Sequence, residues 1–442
     1  MPALSKQEVI DQTKLMLGWR DAEMPRLDRL HLYLKGRQSF LWLPRTAPDE
    51  VRRLARMSRV NVLQLAVNSA TQSLYIDGYR SPKAEAEDPA WQVWQQNRLD
   101  ARQIGVHRAA TCYGVAYVSV ITGEPVPVVR GLSPRNLTAV YGEDDDWPVW
   151  ALEKRRSAVK GRTLYRLFDE THAYYVSVDG GGQVEYVDEK VHDAGHVPIV
   201  RFLSTCDLDD EVYSSLENLM TLQDQIDLTT FGLLVVQHYG SFPQKWIAGW
   251  MAETEDDKIA VAANKVLTFE DSETKLGSFQ AASLDGYINS RRDAMKNLAA
   301  IAQMPESALR GELVNLSAEA LEAAKDGERR KNTEAQKMFG ESWEQTLELA
   351  GVTAGYQGDP QAEVRWKDME MRSFSATIDA LGKMAAMLGI PQEAIWERVP
   401  GATQQEIARW RVLAAQGDAL GRLENYLERS ANALADEMPP TI

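Results

Sequence analysis

The order of hydrophobic patterns along this 442-residue chain predicts an α+β fold, and three observations carry that prediction. Apolar residues recur at helical spacing through the first hundred or so positions. Between Tyr113 and Phe202 the period falls to two, in β-branched and aromatic runs bounded by turn residues. Helical stripes then return at Tyr213 and dominate the remainder.

Each element follows from local residue types. Ser5, with Gln and Glu behind it, is a candidate N-cap for one or two amphipathic helices reaching about Arg37. Val9, Leu15, Leu17, Leu27, Leu30 and Leu34 form their stripe, and Gly36 is the stop signal. The proline-punctuated loop Leu43-Pro-Arg-Thr-Ala-Pro48 opens a helical segment from Asp49 to about Ser73. Leu74 to Tyr79 reads as a short strand, and Pro89 to about Cys112 as a helix with Trp91 and Trp94 as core or interface anchors. Strands are expected at 115–121, 137–141, 149–154, 163–168, 172–178 and 184–187, with a turn at Asp179-Gly-Gly-Gly182.

Leu216, Leu219, Met220, Ile226, Phe231 and Leu234 mark a long helix behind the capping candidates Ser214 and Ser215, ending near Gly240. Residues 241–283 read as a small compact insertion, with strands at 244–247 and 266–269 around the acidic run Glu253 to Asp257. A second long helix spans about 284–303, broken by Pro305. A third, from Ser317 to about Leu349, carries mixed charges at three- and four-residue spacing, the pattern of a solvent-braced helix. A strand at 362–367 precedes helices at 373–388, 391–398 and 403 to about 433.

Composition narrows the chemistry. The chain has 64 acidic against 49 basic residues, a formal −15, which disfavours broad, tight phosphate binding. Two cysteines, Cys112 and Cys206, are too few for a disulfide framework and point to a reducing compartment; Cys112 reads as a buried structural thiol. The longest apolar run, Phe231 to Val236, is too short to span a bilayer, and the N-terminus lacks an apolar signal core, so no membrane association is expected. There is no phosphate-binding G-x-x-x-x-G-K-[ST] loop, G-x-S-x-G elbow or H-E-x-x-H helix. The best metal-like spacing is His192-Asp193-x-x-His196, with Asp188 and Glu189 upstream. It reads as a turn rather than a helix face, where a site would need three ligands in fixed geometry, and a polar connecting loop is the expectation. Asp144 to Asp146 and Asp207 to Glu211 read as solvated acidic loops. The expectation is no enzyme, no metal and no cofactor.

A set of local signatures carries a resemblance. Leu32-Tyr-Leu-Lys-Gly36 ends the first helix. Asn61 through Asn68 is followed by Leu74-Tyr-Ile-Asp-Gly-Tyr79, and then by Trp91-x-x-Trp94-Gln-Gln-Asn97-Arg-Leu-Asp100. Tyr113-Gly-Val-Ala-Tyr-Val118, Ser133-Pro134, Gly195 to Phe202 and Leu222-Gln-Asp224 complete the series. In this order they resemble the portal, or head–tail connector, proteins of tailed bacteriophages, the siphophage type above all, across residues 30 to 370 or so.

The resemblance implies a portal fold: an α/β wing, long stem helices, a small α/β clip and a helical C-terminal crown. On this chain the wing would be residues 1–211, the stem helices 212–240 and 284–303, and the clip 241–283. Residues 304–316 would form the tunnel loop, 317–370 the long helix and strand returning through the wing, and 371–442 the crown. It further implies a ring of identical subunits, normally twelve, at one capsid vertex of the virion, built in the host cytoplasm. Double-stranded DNA would pass through it without sequence specificity, during packaging and again at ejection. Its partners would be the large terminase subunit, scaffold and major capsid protein, and the head–tail adaptor. The tunnel-loop candidates facing DNA are Glu306, Ser307, Arg310, Gly311, Glu312 and Asn315, in a polar segment whose glycine permits an unusual backbone. Clip-interface candidates are Phe242, Trp246, Ile247 and Trp250, with Glu253, Glu255, Asp256 and Asp257 as the exposed acidic docking run. An acidic chain suits a channel that should pass DNA without trapping it. The alternative from another class is a metal-dependent hydrolase using the His192/His196 loop.

Overall fold

The computed structural model describes residues 3 to 416 apart from 40–42, 45, 82–88, 144–145, 158, 193, 206–207, 210, 241–244, 249–274, 279–282, 311–317, 357–358, 368–373, 397, 400, 403–404 and 415. It is α+β, as the patterns predict.

The first helix, α1 (Lys6–Leu34), is a single 29-residue rod rather than two. The Ser5 hydroxyl accepts from the Glu8 N–H while the Glu8 carboxylate accepts from the Ser5 N–H, a reciprocal cap. At the other end Gly36 takes φ +62°, with Arg37 N–H bonding the Leu32 carbonyl and Gly36 N–H that of Tyr33, a Schellman end. The buried stripe differs from the expected one. Val9, Thr13, Met16, Arg20, Leu27, Leu30 and Tyr33 face inward, and Leu15 turns to solvent.

The expected helix 49–73 is two, α2 (Asp49–Met57) and α3 (Val62–Gln72), because Asn61 caps a fresh start through the Gln64 N–H. The tryptophan helix likewise divides into α4 (Pro89–Gln96) and α5 (Leu99–Tyr113), at Arg98 with φ +54°. Strand β1 (Ile76–Arg80) lies between α3 and α4.

The β-rich region forms two antiparallel sheets. Strands β2 (Val115–Ile121), β3 (Val128–Leu132) and β9 (Ile199–Leu203) make one in the order β3-β2-β9. The other runs β4-β5-β6-β7-β8 in sequence order, from β4 (Leu137–Tyr141) through β5 (Pro148–Arg155), β6 (Arg162–Phe168) and β7 (His172–Asp179) to β8 (Val184–Val191). The periodicity missed β3 and β9, whose short runs contain Gly131 and Arg201. The N-terminal half of α1 packs Val9 and Met16 onto the five-stranded sheet against Leu152, Tyr165 and Tyr174. Val115, Tyr117 and Ile199 of the smaller sheet meet Leu137, Ala151 and Phe168 of the larger.

Two long helices follow, α6 (Glu217–Gly240) and α7 (Asp285–Ile301), packed along each other. Between them lies the hairpin of β10 (Lys245–Ala248) and β11 (Lys275–Ser278), in which Trp246 pairs with Gly277 and Ile247 with Leu276. The partner of β10 is therefore 275–278; the expected strand at 266–269 lies outside the described residues. A short helix, α8 (Glu306–Arg310), leads to α9 (Ala318–Thr353), the 36-residue helix. The last pieces are β12 (Glu363–Trp366), α10 (Phe374–Leu388), α11 (Gln392–Trp396) and helical residues 405–414.

Helix α9 is less solvent-braced than its charges suggest. Phe339, Trp343, Leu347 and Ala350 bury one side of its C-terminal half in the largest core, with Trp91, Trp94 and Phe202. Trp94 stacks on Trp91 at 5.2 Å and meets Trp343 edge-on at 4.9 Å, contacts that each add about 0.5–1.5 kcal/mol to plain area burial. Strand β12 closes this core by pairing antiparallel with β1, joining residues almost three hundred positions apart. No helix among the described residues is long and apolar enough to cross a membrane.

Candidate functional site

Among the described residues, long-range polar bonds from several segments converge on the foot of the α6–α7 pair. Helix α6 is set in place first at its N-terminus. The Ser214 N–H donates to the Glu217 carboxylate at 3.0 Å, and the Ser214 hydroxyl accepts from the Leu216 N–H while donating to the Cys112 carbonyl. Arg26 of α1 donates to Glu217 through Nε at 2.7 Å. Gly114, at φ +87°, lets the chain after α5 pass under this cap; a Cβ there would lie 2.6 Å from the Tyr213 carbonyl oxygen. Burial pushes the Cys112 thiol up to about 12, in keeping with a structural rather than nucleophilic cysteine.

Two turns further along, α6 enters a clasp made of segments distant in sequence. The Tyr33 hydroxyl donates to both Asp224 oxygens, at 3.0 and 2.8 Å. Burial, then the Asp224 bond, pushes Tyr33 up to about 12. Asn61 donates to the Leu34 carbonyl at 2.9 Å and packs against Gly36. Gln223 accepts from the Val62 N–H and donates to the Val60 carbonyl. Asp227, 3% exposed, accepts from Gln38, the Val60 N–H and Gln223 at 2.8, 3.1 and 2.8 Å. Burial raises its carboxyl above the usual range, and these three donors oppose that rise. Three of the signatures read in the sequence, Leu32–Gly36, Asn61 and Leu222–Asp224, thus converge on one point. Gln38 and Asp227 were missed; the one available signal was a carboxylate set four residues after Gln223 on an otherwise apolar stripe.

The far helix is anchored by α9. Helix α7 ends with Gln303 in the left-handed region, φ +55°; Met304 N–H bonds the Ala299 carbonyl and Gln303 N–H that of Ala300. Lys331 of α9 donates its ammonium to the Ala302 carbonyl at 3.0 Å. Burial lowers the Lys331 pKa, and Glu328 and Glu334 pull it back up. Lys331 was read as one charge among many on a solvated face. Only the fold brings it under the end of α7.

The expected tunnel-loop residues Glu306, Ser307 and Arg310 are helical, in α8, where a flexible polar segment was expected. Pro305 opens that turn, its carbonyl accepting from the Ala308 N–H. Gly311, Glu312 and Asn315 lie outside the described residues, as do Phe242, Trp250, Glu253, Glu255, Asp256 and Asp257. Trp246 and Ile247 lie on β10.

The histidine pair sits elsewhere. His192 is buried, with Nε2 donating to the Asp169 carbonyl at 3.0 Å and Nδ1 accepting from the Ala194 N–H. His196 stacks on Trp147 at 4.8 Å. Among the described residues no three His, Cys, Asp or Glu side chains are brought together to hold a metal; Asp193, between the two histidines, lies outside the described residues.

Residues 17–417 match the sequence profile of the family described as "Phage portal protein, SPP1 Gp6-like". The chain belongs to that family. Two curated relatives, both named "Portal protein", come from Mycobacterium phages D29 and L5; each is 26% identical over 368 residues, spanning 77% of this chain and 74% of its own. Among solved structures, the chain is similar to one titled "Neck of empty GTA particle computed with C6 symmetry", at 14% identity and TM-score 0.49 over 79% of this chain and 91% of that one. A second, "Neck of native GTA particle computed with C12 symmetry", gives 14% and 0.48 over 82% and 96%.

Proposed function

We propose that this portal-family chain assembles into a closed ring of identical subunits at one vertex of a phage capsid, the channel through which double-stranded DNA is packaged and ejected. The observation that carries the reading, beside family membership, is the α6–α7 pair. Two long packed helices are clasped at their foot by Tyr33, Asn61, Gln38, Asp227 and Lys331, and they carry a hairpin at the far end. Such a rigid two-helix strut, repeated by rotation, gives a tube wall that needs no catalytic residue.

In this assignment residues 1–211 and 317–370 form the wing, 212–240 and 284–303 the stem, 241–283 the clip, 304–316 the tunnel loop and 371–442 the crown. A clip of this length is too small to hold a core of its own and would be completed by neighbouring subunits, with Phe242, Trp246, Ile247 and Trp250 as anchors. Its acidic run, Glu253 to Asp257, would meet the large terminase subunit during packaging and the head–tail adaptor afterwards. The wing would face scaffold and major capsid protein. The ring would form in the host cytoplasm and remain in the virion. With a net −15 per subunit the ring repels phosphate and leaves no deep minima for DNA along its wall.

Negative-stain images of the purified protein, with its mass in solution, test this reading. Rings with a central hole, at about twelve times the 49.5 kDa subunit mass, are expected. Monomers or dimers alone, at micromolar concentration and in the presence of scaffold, would overturn it.

A further inference from the structure

Helix α1 has a second apolar stripe besides the one that packs on the sheet. Leu15 and Trp19, one helical turn apart, are 48% and 43% exposed. Gly18 beside them has no heavy atom within 4 Å of where a Cβ would stand, so the surface there is flat and open. Asp11, one turn before Leu15, is exposed too and gives the stripe an acidic end. This stretch lies over the five-stranded sheet, since Val9 and Met16 on the opposite side are buried in it.

A patch of the opposite charge occurs on α2, which packs Leu54 and Ala55 inward and runs beside α6. Its outer side carries Met57, 63% exposed, with Arg53 and Arg56 exposed next to it. The exposed Asp49 and Glu50 stand one turn before them, and the three exposed arginines Arg52, Arg53 and Arg56 outnumber these two acids, so in a chain of net −15 the surface around Met57 is locally basic.

The two patches belong to different parts of the fold, one over the large sheet and one beside the helix pair. A self-complementary contact of either patch would set like charges face to face, whereas joining the two sets acid against base around paired apolar centres. We propose that Asp11, Leu15 and Trp19 of one copy dock on Arg53, Arg56 and Met57 of the next, a head-to-tail contact between copies of this chain. It rests on the ring reading and names two surfaces through which neighbours would meet.

Cysteine cross-linking tests it directly, in a Cys206→Ser background where the native thiol left, Cys112, is buried. Trp19→Cys with Met57→Cys in one chain should give, on mild oxidation, a ladder of covalent multimers on non-reducing gels. Either substitution alone should leave at least 90% of the chain monomeric on the same gel. In parallel, Asp11→Arg and Arg56→Asp should each raise the concentration at which half the rings dissociate by at least tenfold, and together should restore it. Rings that form normally but give no ladder, or a ladder from either single cysteine, overturn the contact and leave the ring reading standing. An unaltered protein that forms no ring removes both.

Discussion

Trp343 donates its indole N–H to His107 Nε2 across 2.8 Å, and His107 Nδ1 donates to the Leu74 carbonyl at 3.1 Å, so the imidazole sits neutral in the aromatic core. Burial pushes its pKa down to about 3, against a weaker upward pull from the Leu74 bond. The folded state thus binds fewer protons here than the unfolded state between pH 3 and 6.5. The stability due to a neutral His107 is fully present above pH 6.5 and is lost as pH falls below it. Urea unfolding at pH 7.5 and 5.5 should show the wild type losing about 1.4 kcal/mol more than His107→Asn over that interval. Equal pH dependence in the two proteins would contradict the assignment.

Asp227 is the acceptor on which three donors of the clasp converge. Asp227→Ala would leave Gln38, Gln223 and the Val60 N–H short of a partner in a site without room for bulk water. We expect a loss of about 2–4 kcal/mol, read from chemical unfolding. A loss below 0.5 kcal/mol would mean that the donors find other partners.

Gly114 combines φ +87° with a 2.6 Å approach of its missing Cβ to backbone oxygen. Gly114→Ala strains the backbone and pushes the α5 end away from the Ser214 cap, costing about 2–3 kcal/mol. Gly18→Ala, with open space around it, serves as the control. It should be neutral or stabilising by up to about 1 kcal/mol through helix propensity.

Gln303 occupies the place in the α7 end that Gly36 occupies in α1, with the same pair of backbone bonds. A side chain in the left-handed region costs about 1 kcal/mol relative to glycine. Gln303→Gly should therefore raise stability by about that amount. A fall would show that the glutamine side chain makes a contact worth more than the strain.

Arg310 closes the helical turn after Pro305, at the entry to the proposed tunnel loop. Arg310→Glu, and separately deletion of residues 307–311, should leave procapsid assembly intact. Each should cut the DNA retained after packaging at least tenfold, measured by quantitative PCR of nuclease-treated particles. Full retention in both variants would remove the loop from the channel.

Much of the fold was legible because its causes are local. Ser5, Gly36 and Ser214 announce helix ends through their own side chains or backbone freedom, and the period-two runs from Val115 to Val187 can bury one face only as strands. The α+β class and the existence of two long helices followed from these patterns. Trp91 and Trp94 read as core or interface anchors, being too large and apolar to leave in water, and the fold puts both in the core. The breaks at residues 58–61 and 97–98 were harder to see, because propensity on either side favours helix; the first is decided by the Asn61 cap and the second by the positive φ of Arg98.

What only the tertiary structure decided is which of many similar side chains meet. Leu15 and Met16 are equally apolar neighbours, yet the docking angle of α1 on the sheet buries one and leaves the other in solvent. Lys331 looks like any exposed lysine until the fold sets it beneath the Ala302 carbonyl. Tyr33 and Asp224 lie almost two hundred positions apart, and β1 and β12 nearly three hundred. Sequence period records which way a residue faces relative to its own helix or strand. It holds no record of what stands opposite, because that is set by the packing of whole elements whose apolar faces all seek burial at once.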